Sequence, residues 1–284
     1  MLSNKDGDYQ GIISARKRCD KCMPSGGPKK RLTNPAENGF CQYDTNQIGP
    51  WANWQGDLEA KITVIGQDWG DTRYYTENHG REKPRNKTND HLIELFKVLD
   101  MDIGNPPYAD DRGGVIGQPL YFMNTIQCLK EGGMSSEVKQ EWVNNCEEIF
   151  RKTVELVYSP DLIALGINPA RQVIKCFHKG GSKKDELLKK DLIELIEHPI
   201  EIGGRTLHVV YHPGNWGVYN RAIHQYRSDL GEKGRNESIA DLRKEYKEAR
   251  AGDGPNRPKD GRTLQEEDWG RIRERLKAKG TRAI

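Results

Sequence analysis

The sequence has no long apolar segment, and its first ten residues hold no apolar stretch of the kind that opens a secretory signal. A membrane-spanning helix needs roughly 18 apolar residues in a row, so we expect no membrane association. Without a signal pattern, we expect a cytoplasmic protein. Cysteine is also scarce, with six in 284 residues, which excludes a disulfide-dense secreted scaffold. In a reducing compartment, clustered cysteines indicate metal binding or chemistry.

The net charge is also small, and the sequence lacks the common glycine-rich nucleotide-binding motifs. Lys plus Arg (45) and Asp plus Glu (42) leave a formal charge of +3. That balance does not indicate a nucleic-acid binder by itself, although a local basic patch is enough to bind phosphate. The sequence has no GxxxxGK(S/T) motif and no GxGxxG after a predicted strand, which disfavours a nucleotide-binding protein.

Short β-branched runs alternate with amphipathic segments through the middle of the chain. The runs predict four buried strands, at residues 61–66, 120–124, 161–166 and 206–211. Apolar residues at helical spacing predict helices at 89–100, 135–158 and 168–177. This alternation is typical of a parallel sheet with helices on both faces. We therefore predict a three-layer α/β/α sandwich around a mostly parallel four-stranded sheet.

The two ends of the chain differ in composition from this middle region. Residues 1–60 are rich in Gly, Pro, Asn and charge, and predict a cysteine-containing segment packed on the core. Residues 61–230 predict the α/β domain. Residues 231–284 are almost entirely charged and predict a helical extension, with helices near 237–250 and 264–279. Such an extension is either a solvated tail or an arm on the phosphate backbone.

Polar residues follow three of the predicted strands. The first strand ends in Gly66-Gln67-Asp68, the second in Asn124, and the fourth in His212-Pro213-Gly214. Each set alone is an ordinary turn or cap. Because ligands of open α/β sheets bind at the carboxyl ends of strands, we expect the three sets to surround one crevice.

The three motifs together resemble those of the uracil-DNA glycosylase superfamily, over roughly residues 15–225. The resemblance implies a monofunctional glycosylase that hydrolyses the N-glycosidic bond of a flipped-out uracil or modified pyrimidine in DNA and leaves an abasic site. It assigns catalysis to Asp68, Asn124 and His212: the carboxylate orients water, the imidazole holds the departing base, and the amide reads it. We expect a monomer.

Further residues are assigned around these three. The expected base contacts are Gly66, Gln67, Trp69, Asn124, His212 and Tyr74. The expected DNA contacts are Asn215, Trp216, Lys130 and Arg85. A lyase would need a buried lysine near C1′, and none of the motifs contains one. Lys130 is predicted to be solvated or to face a phosphate.

The cysteines resemble those of the iron–sulfur branch of this superfamily, in which four thiolates bind a 4Fe–4S cluster. A CxxC is followed by two distant cysteines, so the implied ligands are Cys19, Cys22, Cys128 and Cys146. The cluster would fasten the N-terminal segment to the sheet. Zinc is the alternative, with Cys19, Cys22 and Cys41 as ligands beside one more. Free thiols are the third possibility.

The sequence departs from the family where the flipped base is stacked. The stretch at residues 83–89 has no aromatic residue, and Trp69-Gly70 follows the first motif. Tyr74 or Tyr75 could supply the stack. The alternative is a pocket for a bulky 5-substituted cytosine, hydroxymethylated or glucosylated, in phage DNA, which would make the enzyme part of anti-phage defence. A second alternative is a DNA-binding module without catalysis.

Overall fold

The computed structural model describes residues 5–22, 32–44, 56–80, 86–103, 120–131, 133, 137–252 and 257–280. Its strands, in chain order, are β1 (Leu32–Thr33), β2 (Ile62–Gly66), β3 (Leu120–Asn124), β4 (Leu129–Lys130), β5 (Asp161–Leu165), β6 (Ile200–Ile202) and β7 (Arg205–Val210). Its helices are α1 (Lys5–Lys17), α2 (Thr72–Glu77), α3 (Lys87–Val98), α4 (Gln140–Val157), α5 (Ile167–Phe177), α6 (Ser182–Lys189), α7 (Leu192–Glu197), α8 (Asn215–Asp229), α9 (Glu232–Asn236), α10 (Ile239–Ala251) and α11 (Gly261–Ala278). No helix among these residues is both long and apolar enough to cross a bilayer.

The main sheet is mostly parallel and has five strands, in the order β3-β2-β5-β7-β6. The first four strands run parallel, and β6 pairs antiparallel with β7. The prediction of four strands is therefore wrong by one edge strand. Strand β6 is three residues long and returns through Gly203-Gly204, both with positive φ, so it carries almost no periodic signal. A separate ribbon joins β1 to β4.

Two buried clusters cover opposite faces of this sheet. On one face, strand residues pack against α1, α4, α5, α6 and α7. On the other face, they pack against α3 and α11, where the rings of Phe96 and Trp269 lie 5.0 Å apart. The arrangement is compatible with a three-layer sandwich. The segment before β2 joins the first face through Tyr9, Ile12 and Ile13.

The charged C-terminal region is partly a layer of the fold. Helices α10 and α11 match the two helices predicted there. Helix α11 buries Trp269, Ile272 and Leu276 against the sheet face that carries α3. Several of its basic side chains have partners inside the protein: Lys277 pairs with Asp100 at 3.0 Å, and Lys279 lies 3.4 Å from Asp161. These contacts fasten the end of the chain to the α/β domain.

Candidate active site

Three of the parallel strands deliver the predicted catalytic residues to one edge of the sheet. The register pairs Gly66, the last residue of β2, with Asn124, the last residue of β3. Asp68 follows β2 by two residues, and His212 follows β7 by two residues. Because β2, β5 and β7 are parallel neighbours, their carboxyl ends open on the same side, as the sequence predicts.

Gly66 and Asn124 are in close contact. A Cβ added at Gly66 would lie 2.1 Å from Oδ1 of Asn124, so only glycine leaves the amide its present position. The loops after the two strands are also joined, because the Thr125 backbone N–H donates to the Gly66 carbonyl at 3.0 Å. The Thr125 hydroxyl donates to the Gln67 carbonyl at 2.8 Å. The Asn124 amide therefore has a fixed position relative to the Asp68 loop.

The Asp68 carboxylate is held by three donors. Its Oδ1 accepts from the Gly70 backbone N–H at 3.0 Å and lies 3.1 Å from Nζ of Lys130. Its Oδ2 accepts from Nε2 of Gln67 at 3.2 Å. The Gln67 Oε1 accepts in turn from Nδ2 of Asn168 at 2.7 Å, at the exposed start of α5. The carboxylate is 14% exposed, which leaves it partly accessible.

The environment of Lys130 corrects the prediction that it contacts DNA. Its side chain is only 2% exposed, and its ammonium group faces Asp68. A lysine in that position is not at the surface where a phosphate would reach it. Sequence reasoning missed the contact because it depends on strand β4 passing beside the Asp68 loop, where the Lys130 N–H donates to the Gly70 carbonyl at 3.0 Å.

His212 follows β7 and lies near Asp68 at the carboxyl ends of the strands. Its side chain is exposed, yet the surrounding protein lowers the pKa of the imidazole through desolvation, and the negative charge of Asp68 partly opposes this. The ring is therefore accessible and close enough to Asp68 for the two groups to interact electrostatically. The Gly214 backbone N–H donates to Nδ1 of His212 at 3.0 Å. The ring proton of the neutral imidazole is therefore on Nε2.

Other helices hold the loop that carries His212. Nδ1 of His91, on α3, donates to the Pro213 carbonyl at 3.0 Å. Nε2 of Gln265, on α11, donates to the His212 carbonyl at 3.2 Å. A Cβ at Gly217 would lie 1.9 Å from that same carbonyl oxygen, which explains why α8 has glycine there.

The aromatic residues are arranged differently from the prediction. Trp69 is buried, and its indole N–H donates to Oε1 of Gln127 at 3.3 Å. Tyr74 packs beside it in a small apolar cluster. Phe122 is a further aromatic residue near the site, which the motifs did not single out. It is half-buried and lies on the Asn124 face of β3. Its Cζ would lie 3.8 Å from a Cβ built at Gly66. Residues two apart on a strand share a face, so the spacing of Phe122 from Asn124 is the sequence signal that could have identified it.

The predicted DNA-contact residues have different locations. Trp216 is 71% exposed, and its ring centroid lies 6.3 Å from that of Tyr219. Asn215 is exposed beside it as the first residue of α8. Both directly follow the His212 loop and are exposed beside it. Arg85 lies outside the described residues.

The four cysteines assigned to a cluster come together from three segments. Cys19 and Cys22 follow α1, Cys128 precedes β4, and Cys146 lies in α4. Burial raises the pKa of Cys128, and the charges of Cys146, Cys19 and Cys22 raise it further. Burial also raises the pKa of Cys146 to about 12, opposed by a hydrogen bond from the Gln127 backbone and reinforced by Cys22 and Cys19. The protonated thiols of Cys128 and Cys146 are therefore favoured, and the mutual charge effects place the four cysteines near one another.

Thiolates are the ligands that iron–sulfur clusters use. Within the described ranges, no three His, Cys, Asp or Glu side chains are placed as ligands of one metal ion. The zinc alternative also depends on Cys41, which is exposed and acts electrostatically on Tyr75.

No model of a known protein family matches the chain, and no curated protein matches it. The resemblance to uracil-DNA glycosylases therefore stays a prediction from the motifs around Asp68, Asn124 and His212.

Proposed function

We propose that the chain is a monofunctional DNA glycosylase that hydrolyses the N-glycosidic bond of an extruded uracil or modified pyrimidine. The observation that carries the proposal is the proximity of an acid and an imidazole at the carboxyl ends of β2 and β7, where the charge of Asp68 acts on the ring of His212. The Asn124 amide, held against Gly66, lies at the same sheet edge. An acid, an imidazole and an amide are the groups that this reaction needs.

In the reaction, the C1′–N bond breaks and its electron pair leaves with the base. Positive charge then develops on the sugar, which the Asp68 carboxylate stabilises electrostatically. The same carboxylate orients a water molecule whose oxygen bonds to C1′, and accepts the proton that this water loses. The base leaves as an anion and takes a proton from solvent, Asp68 releases its proton to solvent, and the products are the free base and an abasic site.

His212 stabilises the departing base. Its lowered pKa keeps the imidazole neutral at neutral pH, and the Gly214 N–H fixes the tautomer with hydrogen on Nε2. That N–H is a donor for a carbonyl oxygen of the base, where negative charge grows as the bond breaks. A neutral donor serves this purpose without delivering its proton.

Recognition of the base is assigned to Asn124 and Phe122. The amide of Asn124 has both a donor and an acceptor for the Watson–Crick edge of a pyrimidine. Phe122, two residues earlier on the same strand and half-buried, is the aromatic residue to which we assign stacking on the base. Trp216, exposed after the His212 loop, is positioned to occupy the space that the extruded base leaves in the duplex, which offsets part of the cost of unstacking.

A 4Fe–4S cluster on Cys19, Cys22, Cys128 and Cys146 is the cofactor we propose. When bound, it supplies a covalent cross-link between the N-terminal segment, the start of β4 and helix α4. The chain already orders part of this region by itself. Nδ2 of Asn34 donates to the carbonyls of Arg16 and Cys19, at 2.9 and 3.0 Å.

The test is base release from defined oligonucleotides, single- and double-stranded, that contain uracil, hydroxymethylcytosine or glucosylated hydroxymethylcytosine. We expect the purified chain to produce alkali-labile abasic sites in at least one of these DNAs. Asp68→Asn should retain the affinity for that DNA and lose about 10²–10⁴-fold in rate. Asp185→Asn, an exposed carboxylate change on α6, is the matched control. Binding without base release from any of the DNAs would identify a non-catalytic module.

One contact favours the bulky modified pyrimidine as a second candidate substrate. The linked amides of Gln67 and Asn168 stand at the partly open side of the Asp68 loop, with Asn168 exposed. Paired amides are suited to hydrogen-bond hydroxyl groups on a 5-substituent. Asn168→Ala should then slow the release of glucosylated hydroxymethylcytosine more than that of uracil. Equal effects on both bases would count against this candidate.

A further inference from the structure

Lys130 is a buried lysine whose backbone is held on both sides. In the ribbon of β1 and β4, it lies opposite Leu32. On its other side, it forms a bridge to Asp71 and donates its N–H to the Gly70 carbonyl. An ammonium group removed from water costs several kcal/mol unless it is paired. Its position beside Asp68 supplies that pairing.

The ion pair acts on one oxygen of the carboxylate. Nζ of Lys130 lies 3.1 Å from Oδ1 of Asp68, which also accepts the Gly70 N–H at 3.0 Å. The Lys130 donor belongs to β4, and the Gly70 donor belongs to the turn that contains Asp68. Within the described part of the chain, Oδ2 accepts one hydrogen bond, from the Gln67 amide. The two oxygens therefore differ, with one anchored and the other able to accept a further hydrogen bond.

We propose that Lys130 is the positioning residue for Asp68. Its ammonium group anchors Oδ1 and fixes the side-chain rotamer, so that Oδ2 is turned toward the water that attacks C1′. Lys130 itself forms no bond with the substrate. This role rests on the proposed glycosylase function, and it replaces the DNA contact that the sequence predicts for this residue.

The first experiment separates positioning from DNA binding. Lys130→Met removes the charge and keeps the aliphatic chain, Lys130→Arg keeps the charge, and Lys97→Met changes an exposed lysine on α3 as the control. With an oligonucleotide that the wild type cleaves, Lys130→Met should lower the single-turnover rate at saturating enzyme by about 10²-fold. Its Kd for that DNA should be unchanged, and Lys130→Arg should recover part of the rate. A weaker Kd with an unchanged saturated rate would overturn the proposal.

The second experiment covers the case in which Lys130→Met does not fold. The double variant Lys130→Met/Asp68→Asn replaces the ion pair with neutral groups, so no uncompensated charge remains buried. If Lys130 acts through Asp68, its residual rate should equal that of Asp68→Asn alone. A further loss in the double variant would refute the inference.

The proposed function and the role of Lys130 are refuted by different results. A wild-type chain that releases no base would refute the proposed function, and the role of Lys130 would be lost with it. An active wild type together with a fully active Lys130→Met would refute the role of Lys130 alone.

Discussion

Gln265, on α11, donates a hydrogen bond from Nε2 to the backbone carbonyl of His212, 53 residues earlier, at 3.2 Å. Gln265 is almost completely buried, so this contact is internal to the fold. It connects the C-terminal region, which composition describes only as a charged extension, to the loop that carries the candidate catalytic imidazole. Helix α11 therefore holds the His212 loop as well as covering one face of the sheet.

Replacing Gln265 should affect the site through this loop. Gln265→Leu leaves the His212 carbonyl without its donor, so we expect a loss of about 1–3 kcal/mol in the free energy of unfolding. Displacement of the His212 ring should slow base release by about tenfold, equivalent to about 1.4 kcal/mol, with DNA affinity retained. Urea titration and single-turnover assays measure the two effects. Gln140→Leu, on the exposed start of α4, should change neither. A normal rate in Gln265→Leu would mean that α11 does not position the loop.

The layout of the sheet is readable from the sequence because its strands are short β-branched runs that end in polar turns. The strands that carry Asp68, Asn124 and His212 are all predicted within one or two residues. The same pattern does not reveal α1, where only four of thirteen residues are buried, or β6, which is three residues long. In such elements, tertiary contacts decide the structure more than local periodicity does.

The neighbours of the candidate site were harder to predict, since they depend on pairing between distant segments. Lys130 reads as a surface lysine until β4 is paired with β1 and placed beside the Asp68 loop. Phe122 reads as core because it lies within an apolar strand. Gln265 lies in a strongly charged helix. No local pattern announces these three contacts.

His91 makes the stability of the protein dependent on pH. Burial lowers the pKa of this histidine, and its hydrogen bond to the Pro213 carbonyl partly opposes that shift, as do Glu266 and Asp260, while Arg262 lowers it further. A folded-state pKa below the unfolded value of about 6.5 means that the unfolded chain binds the proton more readily. Its contribution is therefore present above about pH 6.5 and is lost as the pH falls through the folded pKa.

The test compares His91→Gln with the wild type from pH 5 to pH 8. Glutamine can donate to the same carbonyl and does not titrate, so the loss of unfolding free energy on acidification should become smaller. Burial also lowers the pKa values of His212 and His224, so part of the pH dependence should remain. Identical pH slopes for the two proteins would exclude His91 as a source.

Replacing Gly66 with alanine should impair base release, because the added methyl group would clash with the side chain of Asn124. In Gly66→Ala the new Cβ would fall 2.1 Å from Oδ1 of Asn124, and the amide, which is the end of a side chain, would move aside. We expect a modest stability change but a loss of about 10²-fold in base release, since a displacement of about 1 Å is enough for that. Gly270→Ala, where no atom lies within 4 Å of the added Cβ, should be neutral or slightly stabilising. Full activity in Gly66→Ala would remove Asn124 from base recognition.

The cluster assignment predicts a difference between two buried thiols. Cys146 interacts electrostatically with Cys22 and Cys19, whereas Cys176, whose pKa burial also raises to about 12, interacts with Glu147. Anaerobically purified protein should contain about four iron atoms per chain and absorb near about 400 nm. Cys146→Ser should reduce both and lower the melting temperature, because the N-terminal segment loses its cross-link. Cys176→Ser should keep both signals. One zinc per chain without the absorption band would favour a zinc site over the cluster. A wild type without metal, together with an unchanged melting temperature in Cys146→Ser, would indicate four free thiols.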